Sequence, residues 1–336
     1  MARQSVSFII PYFNEAASLP RLINEVGDFV RRAESKWSLA FDLILVDDGS
    51  KDGGSDILRS YVKANPGALK LRIIRLSRNF GKEVALTAGL SVADSDAVVL
   101  MDADLQHPID IVDQFLDGWI NEGADVVYAY QPKEQRDGWL NRMLSKAYYK
   151  IINTMAEVSV PPNAGDFRLL SKRAYSALRE LGERQRMMKG LYSWIGFQQK
   201  GIAFTSRPRL FGKTKFSPLR LSVLAIDGIT SFSTLPLRLT VLAGILLALL
   251  AGGYGVWIII QIFVYGADVP GFATLIVAIT SIGAAQLIFL GIIGEYIGKI
   301  LLEVKRRPLF IVESDERLGG NLLTPAGRTR VEEHIS

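Results

Sequence analysis

Cysteine is absent from all 336 residues, which excludes disulfides and thiolate metal sites and fits a reducing compartment. There is also no internal repeat and no low-complexity tract. The apolar run at 6–10 is far shorter than a signal sequence with its flanks, so no cleavable signal is expected. Charge is missing where it matters most: 239–267 and 269–294 contain no charged residue, whereas the first two thirds of the chain has a soluble composition. Each span exceeds the roughly 20 residues needed to cross a bilayer core, and two membrane helices are expected at about 236–263 and 272–297. Their connection carries no Lys or Arg, while Arg238 precedes the pair and Lys299, Lys305, Arg306 and Arg307 follow it. Basic residues favour the cytoplasmic side, so the soluble part and both termini are expected in the cytoplasm, in a protein of the inner membrane. The net charge of +5 suits nucleic acid, anionic lipid or phosphorylated substrates and does not choose among them.

The soluble part alternates strand and helix signals. Strands are expected at 5–10, 41–46, 71–76, 98–101 and 125–129, with helices after Ser18, from an opening at Asn79-Phe80-Gly81-Lys82 through Val92, and up to about Asn121. Ser18 is the expected N-cap of the first helix, with Pro20 in its first turn. The pattern predicts an α/β fold whose mainly parallel sheet is covered on both faces, and such sheets bind ligands beyond the carboxyl ends of their strands. Glu15, Asp47, Asp48, Asp102 and Asp104 all fall on that edge. Further along, 138–155 reads as helical, 167–170 as a strand, and Ser171 as the cap of another helix. A basic loop at 207–215 is either a solvated linker or a contact for phosphate or headgroups. Apolar residues recur at helical spacing over 218–233, which suits a helix lying in the membrane interface or one packed in a core. The resulting division is a cytoplasmic domain at 1–215, a juxtamembrane helix at 216–234, a membrane hairpin at 235–300 and a polar C-terminal tail at 301–336.

The most informative stretch is Val98-Val99-Leu100-Met101-Asp102-Ala103-Asp104, an apolar strand that stops at two carboxylates. Side chains at i and i+2 of an extended segment face the same way, so the two acids can converge on one cation. Oxygen ligands without a His or Cys cluster suit Mg²⁺ or Mn²⁺ bound to substrate phosphates. An acidic strand-to-helix turn, with Pro108 in the first helical turn, accounts for the same residues.

Four motifs in order, PYFNE, VDDGS, NFGKEVALTAG and DADLQHP, resemble the family-two glycosyltransferases of GT-A (Rossmann-like) fold. NAGDFRLLSKRAY, RLFGKTKF and a hairpin ending GEYIGKILLEVKRRP narrow the resemblance to the polyisoprenyl-phosphate glycosyltransferases, which include dolichol-phosphate mannose synthase and the bactoprenol glucosyltransferases. The resemblance implies transfer of a sugar, with inversion, from a nucleotide-sugar to undecaprenyl phosphate for cell-envelope glycosylation. UDP-glucose is the first choice of donor, ahead of GDP-mannose and UDP-N-acetylhexosamine. It also implies a nucleotide-sugar site at Pro11, Tyr12, Asn14, Glu15, Asp47, Asp48, Lys82, Asp102 and Gln106. Asp102, Asp104 and Gln106 would hold Mg²⁺ or Mn²⁺, and Arg136, Arg168, Arg209 and Lys215 would meet the acceptor phosphate. Asp166 joins Asp102 and Asp104 as a catalytic carboxylate, either as a base or as an orienting group. The implied partners are the donor, the lipid phosphate and the membrane, without nucleic acid; self-association is left open. A processive polysaccharide synthase and a non-catalytic nucleotide-sugar sensor are the competing readings.

Overall fold

The computed structural model describes residues 3–65, 69–132, 161, 164–184, 186–205, 235–266 and 271–318. They fall into two units, a sheet with its helices and a pair of long apolar helices. The expected helix at 138–155, the basic loop at 207–215 and the juxtamembrane helix at 218–233 lie outside the described residues.

The first unit contains strands β1 (Ser5–Tyr12), β2 (Ala40–Asp47), β3 (Leu71–Leu76), β4 (Ala97–Leu100), β5 (Val126–Tyr130), β6 (Ala164–Ser171), β7 (Gln199–Ala203) and β8 (Val312–Leu318). They form one sheet in the order β7-β5-β6-β4-β1-β2-β3-β8. Its helices are α1 (Leu19–Trp37), α2 (Gly54–Ala64), α3 (Lys82–Val92), α4 (Ile111–Ile120), α5 (Lys172–Glu180) and α6 (Met188–Trp194). The block β4-β1-β2-β3 is parallel throughout, as expected of buried apolar strands joined through helices. β6 runs antiparallel to both β4 and β5, and β8 antiparallel to β3.

Local sequence explains the packing. α1 buries a stripe of Leu19, Leu22, Ile23, Val26, Phe29, Val30 and Ala33, the spacing of one helical face. Phe29 meets Phe8 of β1 and Phe41 of β2 with ring centroids 6.0 and 6.4 Å away, edge to face in both cases. α3 lies against β1 because Gly89 has no side chain: a Cβ there would stand 2.3 Å from Ile9 Cγ2. Ser171 caps α5 as expected, its hydroxyl accepting from the Ala174 amide at 3.3 Å. Ser18 does not cap α1 in that way; its hydroxyl donates instead to the Glu15 carbonyl at 2.9 Å.

The C-terminal tail requires a correction. Residues 312–318 are an edge strand of the sheet, paired with β3 and fastened by ion pairs, with Leu318 packed against the core. That is why their polar composition concealed them.

The second unit consists of α7 (Leu235–Tyr265) and α8 (Phe272–Val304). Both contain spans long and apolar enough to cross a membrane, at Leu239–Val264 and Val277–Val304, and neither span is buried by protein. Leu249, Phe263 and Leu287 are 69%, 87% and 71% exposed. In water such faces would be costly, and hydrocarbon is the solvent that suits them.

Candidate active site

The carboxyl ends of β1, β2 and β4 open onto one edge of the sheet, and β6 brings its amino end to the same edge because it runs antiparallel to β4, with Leu100 opposite Arg168. The loops after β1 and β2 are tied together. Asn14, in the left-handed region at φ 55°, donates its amide to Ser50 Oγ at 3.0 Å and accepts from the Lys51 amide at 2.9 Å. Asp47 is buried; its oxygens accept from the Ser50 amide at 2.7 Å and the Ser55 hydroxyl at 2.9 Å. Ser55 also meets the Tyr12 hydroxyl at 2.9 Å, and burial raises the Tyr12 phenol well above its ordinary range. Pro11 is buried opposite Val46, and Glu15 accepts at 3.3 Å from Ser18 through its carboxylate.

Asp48 has a different task. Its two oxygens accept from the Phe80 and Gly81 amides at 2.7 and 2.9 Å, which pins the loop that starts α3. Gly49 permits the approach: it sits at φ 72°, and a Cβ would lie 2.5 Å from the backbone of Arg78. Burial raises the Asp48 carboxyl above its usual range, against the pull of those two amides.

That pin places Lys82, the first residue of α3, between two acids. Its Nζ lies 2.7 Å from Asp102 Oδ1 and 2.8 Å from Asp166 Oδ2. Burial disfavours the ammonium, but the two carboxylates more than offset it and hold Lys82 protonated. Reciprocally, Lys82 overcomes the burial of Asp166 and holds its carboxyl below the usual range. Asp166 Oδ1 is buried and has no hydrogen-bond partner. Neighbouring Glu83 is pushed up to about 7, first by burial and then by the charge of Asp166.

Native Glu83 therefore keeps its proton where an unfolded glutamate, near 4.5, has lost it. At this group the folded state then binds more protons than the unfolded state, so the Glu83 contribution to stability is fully present below about 4.5 and is lost as pH rises through about 4.5 to 7. Glu83→Gln should flatten that decline. Thermal unfolding of both proteins at the two ends of the window checks it, and identical slopes would remove Glu83 as the cause.

In the loop after β4, Asp104 Oδ1 accepts from the Gln106 amide at 3.2 Å, and Leu105 takes a left-handed conformation at φ 61°. This curl brings His107 back to the acids: ligand atoms of Asp102, Asp104 and His107 all lie within 4.8 Å of one another. The His107 ring stacks on Phe167 at 4.7 Å, and its Nδ1 is buried without a partner. Burial lowers its pKa and keeps the imidazole neutral, as a ligand must be. Two carboxylates and a neutral imidazole with an unused nitrogen fit a divalent cation. His107 is not among the residues the sequence motifs point to, although it adjoins Gln106 and is one of only two histidines.

Arg168 lies in the interior beside Asp166. It is 3% exposed, its guanidinium lies 3.6 Å over the Tyr192 ring, and it donates to the Gly165 carbonyl. Its charge backs Asp166. Arg136, Arg209 and Lys215 lie outside the described residues.

Comparison with known proteins agrees with this geometry. The model of Glycosyl transferase family 2 matches residues 7–179. An uncharacterized glycosyltransferase of Synechocystis, sll0501, is 41% identical over 91% of this chain and 94% of its own length. A prophage-derived bactoprenol glucosyl transferase of Shigella flexneri is 37% identical over 93% and 98%. The putative glycosyltransferase CsbB of Bacillus subtilis is 38% identical over 93% and 92%. With a parallel core, an acidic sheet edge and this degree of identity along nearly its whole length, the chain belongs to glycosyl transferase family 2 and is a glycosyltransferase of GT-A fold.

Proposed function

We propose that the enzyme transfers glucose from UDP-glucose to undecaprenyl phosphate at the cytoplasmic membrane face, with inversion at the anomeric carbon. The observation that carries this reading is the match, over 93% of the chain, to proteins named for glucosyl transfer to bactoprenol. A match of that extent takes in both the Asp102, Asp104 and His107 cluster and the two apolar helices.

In this reading Asp47, Asn14 and Tyr12 line the nucleoside pocket, and Asp48 acts indirectly by fixing the Phe80–Gly81 amides and hence Lys82. Asp102 and Asp104 hold Mg²⁺ or Mn²⁺, with Gln106 or His107 completing the protein ligands. Bound there, the cation would neutralise charge developing on the departing diphosphate. Lys82 offers a second positive charge beside the same oxygens. The attacking lipid phosphate has a second pKa near 6 and is largely ionised at neutral pH, so it needs no general base. Asp166, kept ionised by Lys82, then orients a sugar hydroxyl through its unused Oδ1.

The reading includes a membrane hairpin. The pairing of β8 with β3, on either side of the apolar helices in sequence, supports an even number of crossings. The basic residues flanking the hairpin support a cytoplasmic position for that sheet. A reporter fused at Asp268 should face the periplasm, and a cytoplasmic signal there would overturn the hairpin. The donor is tested by supplying UDP-glucose, GDP-mannose and UDP-N-acetylhexosamines with undecaprenyl phosphate. UDP-glucose should be turned over fastest, and preference for another donor would reject the choice of sugar.

A further inference from the structure

The three acids of β8 each meet an arginine. Asp315 receives Arg72 through Nε and Nη2 at 2.8 and 2.6 Å, and Glu316 receives Arg59 in the same manner at 2.9 and 2.7 Å. Beyond these contacts Arg72 reaches the Val92 carbonyl and Arg59 reaches Asp56. Arg75, held by Glu313 at 2.8 Å through Nε, turns its other nitrogens toward the loop after β2. Nη2 donates to the Ser50 carbonyl at 3.3 Å, and Nη1 lies 3.9 Å from Asp47 Oδ2. Arg75 and Asp47 are opposite one another in the β2–β3 register.

Asp47 is a 1% exposed carboxylate, and a buried charge of that kind depends on a compensating charge nearby. Arg75 supplies it, but Arg75 is itself 37% exposed and has many rotamers available unless something holds it. Glu313 is what holds it. The contacts therefore run without a break from Glu313 through Arg75 to Asp47, Ser55 and Tyr12.

We propose that Glu313 is a positioning residue for the nucleoside pocket, acting through Arg75. Nucleotide affinity then depends on the strand by which the chain rejoins the sheet after its apolar helices. This rests on the reading of the Asp47 loop as the nucleoside pocket, and the test separates the two.

UDP binding and thermal unfolding are measured with Mn²⁺ on the full-length protein in detergent. Glu313→Gln should weaken UDP about two- to fivefold, the range set by a partly exposed ion pair. Arg75→Gln should weaken it roughly tenfold, and the double variant should be no worse than Arg75→Gln alone, since both act along one path. Asp315→Asn is the control: it breaks a less exposed pair on the same strand, so it should lower thermal stability more while leaving UDP affinity unchanged. If Asp47→Asn weakens UDP but Glu313→Gln binds it like the parent, Glu313 only fastens the strand and the proposal fails. An equal loss in Asp315→Asn would also overturn it, by making the effect one of general stability. If Asp47→Asn binds UDP like the parent, the pocket reading falls and the proposal with it.

Discussion

Replacing Asp104 with Asn is expected to lower sugar transfer by about a hundredfold to a thousandfold, the scale of losing one preorganised electrostatic contact to a leaving group. The substitution is nearly isosteric, and an amide oxygen can still accept from the Gln106 backbone as Asp104 Oδ1 does at 3.2 Å. The loop should therefore keep its curl. What disappears is one negative charge beside Asp102 and His107, and with it most of the attraction for a hard divalent cation. Mn²⁺ binding, followed by its paramagnetic signal without any donor, should weaken in parallel with activity. Normal turnover with normal Mn²⁺ binding would remove Asp104 from the site.

Lys82→Ala should have the second largest effect and should move two readouts in opposite directions. With Nζ between Asp102 and Asp166, the side chain now occupies part of the negative field that a cation would use. Removing it leaves both acids uncompensated, so Mn²⁺ should bind more tightly. Turnover should nevertheless fall by about a hundredfold, because a positive charge beside the departing diphosphate is lost and Asp166 loses the partner that keeps it ionised and in place. Were Lys82 merely a plug, the variant would gain activity at low metal concentration. Were it merely structural, Mn²⁺ affinity would fall along with turnover.

Much of this molecule was legible from residue order because its central strands are short apolar runs ending in acids. β3 spans Leu71–Leu76 as read, and α3 spans Lys82–Val92. The parallel block and its acidic edge followed from strands alternating with helices. β6 was harder: its strand character was plain, but its antiparallel direction depends on pairing with β4 and β5 and has no local signature. That direction alone puts Asp166 near Asp102, since a parallel β6 would carry its first residues to the opposite edge. β8 was missed because Glu313, Asp315 and Glu316 read as solvated tail until their arginines, more than two hundred residues away in sequence, are seen beside them. Arg168 enters as an acceptor-phosphate candidate only through the family resemblance, and its burial under the Tyr192 ring has no local signature. His107 was overlooked because two aspartates two residues apart already explained a metal, and the curl at Leu105 that returns the imidazole to them is a tertiary fact.

The central claim is that sugar leaves the nucleotide only when a lipid phosphate takes it. The most direct measurement uses the full-length protein in detergent with Mn²⁺ and UDP-glucose labelled in the sugar, with and without undecaprenyl phosphate. The account predicts that UDP is released only in the presence of the lipid, with one label appearing in the organic phase for each UDP released. UDP release without lipid, or donor binding with no release when the lipid is supplied, would contradict it.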